Sequence, residues 1–146
     1  MKINYKIYFL LVALIPITAC GLANDPVSQS NRSCTVIEKD EVKSHISNQI
    51  EAITRLDWEK AYSFAAQSFR DGITLDQFAR VIQRQYQVII INDSYSFSNC
   101  TIKDGVFNQE VNFETMAGQY LLNYRLSKVN NKFGVVGAEI IPAINT

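Results

Sequence analysis

The spacing of apolar residues changes once along this chain, near Val88, and that change of period constrains the fold more than any other feature. Before it, apolar side chains recur every three or four residues, as on one face of a helix. After it they alternate, as on one face of a strand. Helices followed by strands, rather than helices alternating with strands, describe an α+β domain with antiparallel pairing. The expectation is three N-terminal helices packed on an antiparallel sheet of about four strands.

The first helix is expected from about Asp40, as N-cap, to Leu56, with Val42, Ile46, Ile50, Ile53 and Leu56 on one stripe. The second starts at Asp57 as cap and places Trp58, Ala61, Tyr62, Ala65 and Phe69 on a single face, until Arg70-Asp71-Gly72 breaks it. Thr74, with Gln77 three residues on, forms a capping box for the third helix. There Leu75, Phe78, Ala79, Ile82 and Tyr86 point inward, while Arg80 and Arg84 face water.

In the second half, turn chemistry decides which side chains share a face. A two-residue Asp104-Gly105 loop would send Tyr95 and Phe97 to the face opposite Phe107, Val111 and Phe113. A three-residue Lys103-Asp104-Gly105 loop puts all five together and is the expected arrangement, with Cys100 on the other face. A loop from Thr115 to Gly118 then brings Tyr120, Leu122, Tyr124 and Leu126 inward. A tight Asn130-Asn131 turn, whose residues tolerate positive φ, directs Phe133, Val135, Gly137, Glu139 and Ile141 inward on the last strand, which Pro142 ends.

Three helices and a four-strand meander, with Leu56-Asp57-Trp58-Glu59-Lys60-Ala61-Tyr62 at the first helix junction, resemble the nuclear transport factor 2-like superfamily, also called ketosteroid-isomerase or SnoaL-like. The resemblance covers about Cys34 to Ala143. Asp57, Ala61 and Tyr62 match the corner motif, while Leu56 stands where the superfamily commonly has a small residue. The chain is most similar to uncharacterised bacterial members with an Asp-Trp-Glu-x-Ala-Tyr corner and a third helix patterned as Phe78, Ile82 and Tyr86 are here. The resemblance implies a cone that encloses a pocket or is filled, and it assigns no reaction.

Lys2 and Lys6, an apolar run from Ile7 to Ile15 and small residues after Pro16 have the build of a secretory signal, too short to span a bilayer. Ile17-Thr18-Ala19-Cys20 resembles the bacterial lipobox, which implies that residues 1–19 are removed and Cys20 carries the lipid. Each buried acyl methylene contributes about 0.8 kcal/mol, so two or more chains anchor stably. The alternative is cleavage after Gly21-Leu22-Ala23, which discards Cys20. Residues 20–33 read as a polar tether with a reach of about 20 Å, ahead of a domain over 34–146. The expected address is the bacterial cell envelope outside the cytoplasm, at the outer membrane in a Gram-negative cell, since Gly21 replaces the aspartate that resembles an inner-membrane signal.

Without Lys2 and Lys6, twelve basic side chains stand against fourteen acidic ones, which is no footprint for nucleic acid. With Cys20 acylated, Cys34 and Cys100 remain as an even pair in an oxidising compartment. They are expected to pair; two separate buried thiols are the alternative.

Glu139, with Gln109, Tyr62, Tyr120 and Tyr124, is the inward polar set that this register produces and the candidate pocket lining. A carboxylate among tyrosines can act as a general base, the route to a small-pocket isomerase or hydrolase. Near a strand end, where a side chain reaches water, a rim carboxylate is the preferred reading. His45, the single histidine, sits at the edge of its helix stripe. Zinc spacings, phosphate-cradling glycine loops and Gly-x-Ser-x-Gly motifs are absent from the sequence. The reading is a non-catalytic module that binds a protein or a small apolar ligand, with no catalytic residue, metal or cofactor assigned.

Overall fold

The computed structural model describes residues 31–141. In chain order the elements are β1 (Arg32–Ser33), α1 (Val36–Thr54), α2 (Trp58–Ser63), α3 (Gln67–Arg70), α4 (Leu75–Gln85), α5 (Gln87–Ile90), β2 (Ser94–Lys103), β3 (Val106–Thr115), β4 (Gly118–Val129) and β5 (Lys132–Ile141). The fold is α+β: the helices cover one face of a five-stranded antiparallel sheet of order β1-β2-β3-β4-β5. The fifth strand is β1, two residues that pair with Ile102 and Thr101. The last two positions of the expected tether thus form β1; residues 20–30 of the tether, the signal segment with Cys20, and Pro142 lie outside the described residues.

Helix α1 starts four residues earlier than Asp40. Thr35 is its N-cap, accepting from the Glu38 backbone N–H while the Glu38 carboxylate accepts from that of Thr35, a closed capping box. Arg32 grips the same carboxylate through both terminal nitrogens at 2.7 and 2.8 Å, which holds Glu38 down at about 2. Val42, Ile46, Ile50 and Ile53 are buried as the stripe requires.

Leu56 is not a core residue. It is half exposed with φ 59°, in the left-handed position that follows the helix. Its N–H bonds the Ile53 carbonyl and the Asp57 N–H bonds that of Ala52, both at 2.9 Å, a Schellman closure. Asp57 then caps α2 by accepting from the Lys60 N–H. One residue thus ends one helix and begins the next.

The expected single second helix is broken. After Ser63 the chain extends: the Ala66 N–H donates to the Val135 carbonyl at 2.8 Å, and the Val135 N–H to that of Phe64 at 3.0 Å. Phe64–Ala66 thereby covers part of the β5 edge before α3 begins. The Thr74/Gln77 capping box opens α4 as expected, and the short helix α5 precedes the first long strand at the point where the apolar spacing changes.

Two β-bulges correct the sheet register. The β2–β3 turn is the two-residue Asp104-Gly105 type, with φ of 50° and 77° and Lys103 paired to Val106. Tyr95 and Phe97 nevertheless share a face with Val111 and Phe113, because a bulge between Phe97 and Cys100 inserts one residue. The amide of Gln109 holds it from inside, donating to the Asn99 carbonyl at 3.1 Å, and the Glu110 carboxylate from outside, accepting from Ser98 and Asn99. Past the bulge Cys100 is opposite Gln109, on the inner face rather than the expected outer one. In β5 a second irregularity, between the pairs Arg125↔Gly137 and Leu126↔Val135, turns Ala138 and Ile140 inward and Glu139 outward. Asn130 and Asn131 have the positive φ expected of their turn.

The Cys34–Cys100 disulfide is present, with Cα atoms 5.4 Å apart and both residues buried. It fastens the segment ahead of α1 to the inner face of β2.

Candidate functional site

A cavity of about 120 Å³ lies between the helices and the β4–β5 side of the sheet. Helix α1 contributes Gln49 and Ile53; Phe78, Val81 and Ile82 come from α4; Tyr124, Val135 and Ala138 come from the sheet. The helical stripes place these residues. Gln49 falls between Ile46 and Ile50 on the buried side of α1, and Tyr86 caps the end of α4.

Three residues with polar side-chain groups line this apolar space, and the groups of two are already occupied. The Gln49 amide donates to the Ala61 carbonyl at 3.2 Å. The Tyr86 hydroxyl donates to the Ala138 carbonyl at 2.7 Å, tying α4 to β5. The Tyr124 hydroxyl has no partner, although the residue is only 2% exposed. Burial, with smaller contributions from Tyr86 and Tyr95, pushes its ionisation well above the usual phenol range. The group is a neutral donor at any physiological pH.

Of the residues expected to line a pocket, only Tyr124 does so. Tyr62 is half buried and its hydroxyl is spent on the Arg70 and Ile73 carbonyls, joining α2 to the α3–α4 corner. Gln109 is fully buried but serves the β2 bulge, and its Oε1 is unpartnered. Tyr120 shares the inner face at the end of the sheet, where it is 37% exposed. Glu139 is the correction that matters: it is exposed on the outer face opposite Asn123, so it does not face the tyrosines.

The cavity lining contains no Asp, Glu, His, Lys or Arg. The arrangement can hold a small apolar body against a wall in which Tyr124 carries the unspent donor. Sequence reasoning missed Gln49, although its place within the α1 stripe marks it as a buried polar group. His45 is half buried between Phe64 and Phe133, with Nε2 2.9 Å from the Phe64 carbonyl oxygen. It braces the end of α2 and does not line the cavity. Among the described residues no cluster of three His, Cys, Asp or Glu side chains could hold a metal, and no helix is long and apolar enough to cross a membrane.

Residues 35–144 match the family described as Domain of unknown function (DUF4864). The match starts at the α1 N-cap and takes in the helices and β2 to β5. No curated protein and no solved structure matches the chain.

Proposed function

We propose that this chain, which belongs to the DUF4864 family, is a lipid-anchored binding module of the bacterial cell envelope whose cavity takes a small, mainly apolar ligand with one hydrogen-bond acceptor. The observation that carries the reading is an apolar cavity with Tyr124 in its wall, a residue whose hydroxyl is buried without a partner. An unpaired buried hydroxyl costs about 1–3 kcal/mol, which a ligand carbonyl or ether oxygen would recover. An engineered cavity of about 150 Å³ in another protein binds benzene, so about 120 Å³ suits a body of similar size.

A binding role is favoured over the isomerase or hydrolase alternative by the lining. A general base must reach the proton it removes, and Glu139 is on the far side of the sheet. The helix order, the Asp57-Trp58 corner and the meander support membership of the nuclear transport factor 2-like superfamily. Anchoring rests on Ile17-Thr18-Ala19-Cys20.

The pocket is tested by titrating 2-hexanone against methyl resonances of Ile53, Ile82 and Val135; saturable shifts in these and none in Val36 are expected, and no response rejects the reading. Anchoring is tested by intact mass of the membrane fraction. An acylated Cys20 is expected, and a free amino terminus at Asn24 rejects it.

A further inference from the structure

Beside the cavity, on the solvent side of α4, lies an open groove of about 490 Å³. Val81 is a wall of both. The groove is lined by Ile73, Gln77, Arg80 and Arg84, and the two arginines are exposed one helical turn apart. The ion pairs among the described residues are Arg32–Glu38, Arg55–Glu51 and Lys128–Glu41. Arg80 and Arg84 take part in none of them, and Asp76, one turn before Arg80, is not within ion-pair distance of it. Two guanidinium groups with no ion-pair partner among the described residues therefore flank the groove, beside an apolar cavity with Tyr124, its hydroxyl unpaired, in the wall.

We infer that the ligand is a short amphiphilic carboxylate. Its apolar body of about six heavy atoms fills the cavity, an acceptor at its buried end meets the Tyr124 hydroxyl, and its carboxylate emerges past Val81 between Arg80 and Arg84. This rests on the binding reading above and adds the charge of the ligand to it. A guanidinium presents a planar fork of donors that matches a carboxylate in two parallel bonds. Exposure weakens such a contact without removing it, and makes it sensitive to salt.

The test uses the full chain carrying Cys20→Ser, so that neither acyl chains nor detergent compete, with 5-oxohexanoate and 2-hexanone as probes differing in the carboxylate. At low salt, 5-oxohexanoate is expected to bind about tenfold more tightly. That advantage should shrink as salt rises and vanish in the Arg80→Gln/Arg84→Gln double variant, which should bind 2-hexanone as before. Equal affinity for the two probes, or an advantage unchanged in the double variant, overturns the carboxylate assignment and leaves the binding reading standing. If neither probe binds, both fall.

Discussion

Gly134 of β5 lies against Ala66 so closely that a Cβ added to it would stand 2.5 Å from the Ala66 Cα. The contact belongs to the place where Phe64–Ala66 leaves the helical region and bonds the β5 edge. Gly134→Ala must push that segment away and loosen both backbone bonds to Val135. The expected cost is about 2–3 kcal/mol, read as a lower denaturation midpoint. Gly137→Ala is the control, since its nearest contact is the mobile end of Arg125 at 3.4 Å. Equal midpoints for the two variants would show that the Gly134 contact carries no weight.

Leu56 gives a prediction of opposite sign. A non-glycine residue in the left-handed region costs roughly 1–2 kcal/mol, and its half-exposed side chain recovers little by burial. Glycine gives back part of this through its freer unfolded chain. Leu56→Gly should therefore stabilise the domain by up to about 1 kcal/mol, while Leu56→Val should destabilise it. A stability loss in the glycine variant would mean that the leucine side chain matters more than its backbone angle.

What was legible in the sequence is what neighbouring residues decide among themselves. The α1 stripe, Asp57 as cap, the Thr74/Gln77 box and the Asn130-Asn131 turn each depend on side chains within a few positions. The bulge before Cys100 depends on Gln109 and Glu110 from another strand, and a shift of one residue moves every following side chain to the other face. That is how Cys100 came inward and, through the second irregularity, how Glu139 went outward. The break after Ser63 is also non-local, because β5 supplies the bonds that replace the helix. In the site, Tyr86 and Tyr124 were readable from periodicity, but the groove beside Val81 exists only once α4 has docked.

His45 makes stability depend on pH. Burial lowers its ionisation below the usual 6.5, only partly offset by the bond to the Phe64 carbonyl. The unfolded chain therefore takes up a proton at a pH where the folded chain does not. This penalty is absent above about pH 6.5, grows as pH falls below it and levels off below the folded value. Glu41, paired with Lys128, shares the surface cleft. Urea unfolding at pH 7.5 and 5.5 should show a loss in the native chain that His45→Gln reduces. An equal loss in both would assign it to other groups.

The last prediction concerns Cys34 and Cys100. Their bridge spans a sequence separation of 66 and ties the chain ahead of α1 to the inner face of β2. In the chain-entropy account, closing a loop of that size restricts the unfolded state by about 4 kcal/mol. The Cys34 N–H also donates to the Cys100 carbonyl at 3.0 Å, beside the two pairs of β1. A Cys34→Ala/Cys100→Ala variant loses the restriction and leaves these few backbone bonds to hold the segment. Its melting temperature should fall by more than about 10 °C, and amide exchange should rise first at positions 33, 34 and 101. The cavity shares that inner face but lies at the other end of the strand order, against β4 and β5, so well below the new melting temperature the variant should still bind 2-hexanone. Loss of binding while the fold persists would mean that the bridge shapes the cavity as well as the domain's edge.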